Sequence, residues 1–474
     1  MKYHRVVVTP EFRRAAVELL PGLDEHVGHW RMLGILMFRT QSGYSRSMKT
    51  LLPYDLILDC YEDRSRRKSA HAHLMDFSSD VFQVELSGWI FNHYWLPNES
   101  RSVESMRPPK PLQQLVRDEL ASESSEFVYL DDGSPVSERS LKKGIKQGSG
   151  GTNDNSEVGI GSRHDHASLR VLSYLNTLPS NRFTQILNHV GEARGIAKLL
   201  PEPVRTQQLS LLREVELRPK PAYSPSERST RIYSDGPSFL LMQADVRDCL
   251  IQDWVKLDLA SCHLAVAATT WGDGLPLTHA FLEGKRLNSD QQSLWKTLAD
   301  HMGIPLNVET KGAIKQAVYS LIYGMGEDSL NQFFEVELVE ASGGFKHFIK
   351  QDFMAECWNQ RRKELRNLQR AGYGIDAFGE RILPPRYENA TLNWRSVLAV
   401  RAQSFELALL LPAYELAWKL PKGHGFQVMM HLHDGIAIVA DRQSETGSLV
   451  KRITESVDQK AVELGIPTWL ERQS

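Results

Sequence analysis

Two aspartates, Asp258 and Asp434, stand where a carboxylate can be presented rather than buried. The first follows the short strand-forming run 255–257 and precedes small and apolar residues at helical spacing, in DWVKLDLASCHLAVAATTWG (253–272). The second lies between two apolar, strand-forming runs in GFQVMMHLHDGIAIVADR (425–442), a pattern that predicts a β-hairpin with His433, Asp434 and Gly435 at its tip. Singly, each has a plain structural explanation, because aspartate caps helices and Asp-Gly makes turns. Together they could hold two magnesium ions about 3.5–4 Å apart, one activating an attacking oxygen and one steadying a leaving group, which is the chemistry of two-metal phosphoryl transfer.

A second pattern suits a substrate for that chemistry. In KGAIKQAVYSLIYGMG (311–326), Lys311, Lys315, Tyr319 and Tyr323 recur every four residues. Each such step drifts about 40° around a helix, so the four make one stripe roughly 120° wide. Ile314, Ala317, Val318, Leu321 and Met325 fall on another face that can pack inward. Two lysines followed by two rings suit a triphosphate at one end and a base or sugar at the other. The plainer alternative is a surface stripe of snorkelling lysines.

The elements that must position these residues read as follows. A chain of 474 residues can form two or three folded units. Its net charge of −2 argues against a uniformly basic nucleic-acid coat, though a local basic groove suffices to neutralise phosphates. Local clusters occur at Arg64, Arg66, Arg67 and Lys68, at Lys142, Lys143 and Lys146, and at Arg361, Arg362, Lys363 and Arg366; each alone reads as a solvated face. Four scattered cysteines give neither a disulfide framework nor a zinc site. The N-terminus lacks a signal-peptide pattern and no stretch reads as a membrane span, so a cytoplasmic or nucleoid-associated protein is expected, with no membrane partner. No GxxxxGK[ST] loop is present to cradle phosphates for an ATP-driven motor.

Residues 131–163 are rich in Gly, Ser and Asn and read as a flexible linker. Before it, residues 1–130 mix a helical pattern (12–20) with a strand-like run (81–91) and carry no motif that assigns them a job. After it, 166–216 reads as several helices broken at Pro179 and around Pro201 and Pro203. From Trp254 onward strand and helix signals alternate, which predicts an α+β region with helices packed on a small sheet.

In order and spacing the three chemistry-bearing segments resemble the polymerase motifs of the family A DNA polymerases, the class of bacterial DNA polymerase I and its phage relatives. The middle segment carries most of the likeness: a basic residue, Lys four later, an aromatic four after that and Tyr-Gly four further on are matched by Lys311, Lys315, Tyr319 and Tyr323-Gly324. STRIYSDGPSFLLMQADVR (229–247) is similar to the family's segment before the first motif, and GYGIDAFGERILPPR (372–386) with Arg401-Ala402-Gln403 to the stretch before the last, so the likeness covers roughly 225–445. It implies a right-hand fold: a palm with a small antiparallel sheet from 225–300 and 372–474, helical fingers from 301–371 and thumb-like helices from 164–224, after an N-terminal accessory region (1–130) that is open to template or replication partners.

The resemblance also implies roles. Asp258 and Asp434 would hold two Mg2+ ions, with Mn2+ as an alternative. Lys315 would meet the incoming nucleoside triphosphate with Lys311 assisting, where the family's arginine would offer a bidentate fork. Tyr319 and Tyr323 would pack on its sugar and base, and His263 would stand beside the sugar. Arg231, Gln403 and His433 would face the DNA template and primer.

Two departures are evident: the family's first motif ends in a glutamate where this chain has His263, and His433-Asp434 is followed by Gly435 where a glutamate is usual. Phage-type single-subunit RNA polymerases also lack both. The implied function is a DNA-dependent DNA polymerase without proofreading, since Asp59 and Glu62 do not have the spacing of an exonuclease site. A primase or single-subunit RNA polymerase is the alternative, and a non-catalytic DNA-binding replication factor a further one. A metal-dependent phosphohydrolase with His-Asp pairs (His164-Asp165, His433-Asp434) would carry its pair on a helix, whereas the flanks of Asp434 are strand-forming.

Overall fold

The structure, a computed structural model, describes residues 5–38, 50–62, 70–81, 91–94, 102–105, 110–122, 126–136, 163–202, 204–225, 230–272, 274–288, 290–385, 392–420 and 425–473. The basic clusters at 64–68 and 142–146, most of the expected linker and the strand-like run over 82–90 lie outside these residues. The chain forms two compact units, one of Met1–Asn155, Pro179–Ser224 and Ser234–Gln252, the other of Ser156–Leu178, Pro225–Tyr233 and Asp253–Ser474. Both are mostly helical with small antiparallel sheets.

In the first unit the helix Val27–Phe38 is mostly apolar and correspondingly buried, with Trp30, Met32, Leu33 and Phe38 at its core and Arg31 paired with Glu62 and Asp131. Helix Pro10–Leu19 starts where Thr9 accepts a hydrogen bond from Phe12 N, with Pro at its first position. Glu119 closes the unit: its buried carboxylate accepts from Thr9 N (2.8 Å) and Thr9 Oγ1 (2.5 Å) and pairs with Arg213 on the helix Val204–Leu217. The stretch read as one set of thumb-like helices over 164–224 is divided, with Arg163–Thr177 in the second unit and Val190–Leu199 and Val204–Leu217 in the first.

The second unit is built on α1 (Arg163–Thr177), β1 (Val255–Leu259), α2 (Cys262–Thr270), α3 (Pro276–Leu287), α4 (Leu294–Met302), α5 (Val308–Ile322), α6 (Glu327–Glu337), α7 (Gly344–Phe348), α8 (Asp352–Ala371), α9 (Trp394–Lys419), β2 (Phe426–Leu432), β3 (Gly435–Ala440), α10 (Thr446–Glu463) and β4 (Leu470–Arg472). Its sheet is antiparallel throughout, in the order β2-β3-β1-β4. An extra residue, Met429, interrupts the β2–β3 register, and Val428, Met429 and Met430 are all buried around it. Helices α9 and α10 pack on each other and on the sheet, and α2 packs on both α9 and α5. By length and composition alone α9 could cross a membrane, with mean hydropathy 1.3; 61% of that stretch is buried against the rest of the chain, which is the profile of a core helix.

Candidate active site

Along β1 burial alternates, with Val255, Leu257 and Leu259 inward and Lys256 and Asp258 on the other face. Asp258 therefore sits within a strand, not at its end, and does not cap α2: Ser261 does, at φ 49° and without a side-chain bond. The register sets Asp258 opposite Gly435 on β3 and opposite Glu471 on β4. Asp434 precedes Gly435 in a two-residue turn between β2 and β3, where His433 takes φ 57°, and its carbonyl accepts from Leu259 N at 3.0 Å. A Cβ at residue 435 would come within 3.0 Å of Asp258 Oδ1, so glycine leaves that carboxylate its room.

Burial first, and then the negative charge of Asp434, push the Asp258 carboxyl up to about 7; Lys315 opposes the shift and Glu471 adds to it. Gln473 Nε2 donates to Asp258 Oδ2 at 2.7 Å. A carboxylate whose ionised form is disfavoured by the negative charge of Asp434 beside it, with one lysine as counter-charge, suits a divalent cation. Among the described residues no group of three or more His, Cys, Asp or Glu makes a ready cage. Magnesium is ordinarily held by one or two carboxylates together with substrate phosphates, so the donor set fits it.

Helix α5 begins with a capping box, Asn307 accepting from Thr310 N while Thr310 Oγ1 accepts from Asn307 N. Ile314, Ala317, Val318 and Leu321 are fully buried, as their spacing requires. On the stripe, Lys311 is exposed and Lys315, Tyr319 and Tyr323 are half-buried. Lys315 Nζ stands 5.5 Å from the centre of the Tyr319 ring. Burial raises both tyrosine hydroxyls, reinforced by Asp434 at Tyr319 and by Glu406 at Tyr323. The helix ends at Ile322, and Gly324 takes φ 87°, the left-handed region that glycine enters without strain.

Buried Arg361 on α8 pins that end: its Nη1 donates to Met325 O (2.6 Å) and Leu321 O (3.3 Å), and its guanidinium lies 4.1 Å over Trp358. Arg361 thus faces inward, unlike Arg362, Lys363 and Arg366, which are exposed as expected. Arg361→Ala should cost about 1–3 kcal/mol by stranding these carbonyls, measured by urea denaturation; a loss below a few tenths would remove the pinning role.

His263, on the first turn of α2, is buried; its Nε2 meets Glu406 Oε1 on α9 and its Nδ1 meets the Tyr323 hydroxyl. Its ring centre lies 5.2 Å from that of Tyr319 and 5.4 Å from that of Tyr323. Arg231 hydrogen-bonds His433 at the hairpin tip, next to Asp434. Behind the tip, His431 is buried against the Tyr414 hydroxyl (2.9 Å), and burial lowers it to about 3.

The structure therefore brings together Asp258, Asp434, Lys315, Tyr319, Tyr323 and His263, with Arg231 and His433 as an adjoining pair. Lys311 and Gln403 lie on the same elements, Gln403 half-buried one turn before Glu406, without being tied to the group. Glu406, Glu471 and Gln473 were not read from the sequence. The signal for Glu406 was there: an acid inside the apolar run FELALLL is either a surface intrusion or a buried partner.

No family model matches the chain, and no curated protein matches it in sequence. Among solved structures the chain is similar to the POL domain of Pol1 from M. smegmatis in complex with DNA primer-template and dNTP, at 12% identity and a TM-score of 0.44, over 93% of this chain and 80% of that one. The functional reading accordingly rests on the residues of the site.

Proposed function

We propose that the chain is a template-directed nucleotidyltransferase, a DNA-dependent DNA polymerase of the family A type, adding nucleotides to a primer 3′-hydroxyl. The observation that carries this reading is the register of β1 and β3, which sets Asp258 opposite Gly435 and hence beside Asp434, within reach of the charge of Lys315 on α5.

Asp258 and Asp434 would hold two divalent cations, magnesium or manganese, which when bound supply charge stabilisation to the entering and departing oxygens. Lys315, with Lys311 beyond it, would neutralise the triphosphate as point charges. The rings of Tyr319 and Tyr323 would take the base and sugar by stacking. Arg231 and His433 would hold the primer end beside Asp434, and Gln403 would face the primer-template duplex. In this layout 225–300 and 372–474 serve as the palm and 301–371 as fingers.

Extension of a primed and an unprimed single-stranded DNA template, supplied with dNTPs or NTPs in magnesium, tests it. Primed extension with dNTPs alone is the expected result. Product from NTPs, or any unprimed product, would move the reading to a primase or RNA polymerase, and no product in any lane to a DNA-binding factor without catalysis.

A further inference from the structure

Strand β4 pairs antiparallel with β1 and sets Glu471 directly opposite Asp258, so the two side chains project from the same face of the sheet. Alternation along the chain brings Gln473 to that face as well, and its N–H continues the ladder by donating to Lys256 O at 3.0 Å. Glu471 is a carboxylate with nothing to donate, and its charge disfavours that of Asp258. Gln473 supplies the donor instead: its Nε2 donates to Asp258 Oδ2 at 2.7 Å. The other oxygen, Oδ1, lies over Gly435 of β3, within 3.0 Å of where a Cβ would stand, and Gly435 adjoins Asp434. The two oxygens of Asp258 are thus divided between the neighbouring strands, Oδ2 toward β4 and Oδ1 toward the hairpin that carries Asp434.

We propose that Gln473 is a positioning residue for the metal site, its amide fixing the plane of the Asp258 carboxylate so that Oδ1 is offered to the cation beside Asp434. The proposal rests on the metal-holding role of Asp258 and deepens it by naming the group that orients this ligand. The terminal torsion of an aspartate is broad, so without a partner the carboxylate turns freely and a cation must immobilise it. A hydrogen bond to Oδ2 sets that angle beforehand. An amide does so without charge, whereas an ammonium in the same place would repel the incoming cation. Removing such an outer hydrogen bond from a metal ligand costs about 10- to 100-fold in metal affinity. Gln473 is exposed, so water replaces part of the lost bond and the effect falls at about the lower end. A side chain that only tied down the end of β4 would contribute stability and leave cation affinity alone.

The test compares the full chain with Gln473→Ala, Gln473→Met, which keeps the length of the side chain but has no donor, and Asp258→Asn. Binding of Mn2+ is read from the electron paramagnetic resonance of the free ion, without nucleotide, and the magnesium concentration for half-maximal primer extension is measured beside it. Both Gln473 variants are expected to bind Mn2+ about 10-fold more weakly and to need about 10-fold more magnesium. At saturating magnesium, kcat and the KM for dATP should change little. In EDTA their melting temperatures should match that of the wild type, since the backbone bond to Lys256 is kept. Wild-type Mn2+ affinity in Gln473→Met overturns the proposal, because the donor is then not what orients Asp258. If Gln473→Ala melts lower, Gln473→Met decides alone. Equal Mn2+ binding by the wild type and Asp258→Asn would refute the metal assignment itself and the proposal with it. A wild type whose Mn2+ binding needs both Asp258 and Gln473 but which extends no primer would refute the polymerase reading and support the role of Gln473.

Discussion

Asp258→Asn and Asp434→Asn are each expected to lower nucleotide addition by on the order of 10³-fold or more while leaving primer-template binding nearly unchanged. The asparagine amide keeps the shape of the side chain but removes the charge and half of the oxygen donors, so several kcal/mol of charge stabilisation are lost at the reacting phosphate. A purely structural Asp258 would behave differently. Its carboxyl is held near 7, above its ordinary value, by burial and by Asp434. A group raised in this way favours the fold fully below its ordinary value, and that contribution is lost as pH rises from about 4 through about 7. Asp258→Asn should therefore melt higher than the wild type at pH 8, with the gap closing as the pH approaches 4. Magnesium should raise the melting temperature of the wild type and not that of the variant. Full extension activity in either variant would sink the metal assignment, and a variant that is inactive and also less stable at pH 8 would point to a structural role.

How much of this was legible beforehand depends on which interactions are local. The hairpin around Asp434 and the helix carrying Lys315 and Tyr319 follow from period-2 and period-3.6 patterns within single segments, and both are present, though the helix ends at Ile322 and leaves Tyr323 at its C-cap. The face of β1 is equally readable, though the strand runs one residue past Asp258 because Leu259 is needed to pair with Leu470. What local patterns cannot supply is the partner. Glu406 lies 143 residues from His263, and Gln473 lies 215 from Asp258. The stretch 164–224 shows the same limit on a larger scale, since periodicity tells which face of a helix is apolar but not which core it joins; Leu178 and Pro179 fall in different units. The sequence assigns the first unit no function, and its buried Glu119–Arg213 pair joins helices 94 residues apart in the chain.

Lys315→Ala carries the other large effect, and it should appear in two places at once. The ammonium is expected to meet the triphosphate, where charge-assisted hydrogen bonds are worth about 1.5–3 kcal/mol, so KM for the nucleotide should rise by roughly 10- to 100-fold with a smaller change in kcat. The same charge is what restrains the upward shift at Asp258. Removing it lets burial and Asp434 act unopposed, so the carboxyl ionises at higher pH and the acidic limb of the pH–rate profile moves in the alkaline direction. Lys315→Arg keeps the charge and should keep the limb in place while recovering part of the affinity, because its fork reaches phosphate by a different geometry. The pairing of the two effects is what discriminates. A raised KM with an unmoved limb would leave Lys315 as a phosphate contact remote from the carboxylates. A moved limb with unchanged KM would make it a neighbour of Asp258 that never meets the nucleotide. Neither change would remove α5 from the site altogether.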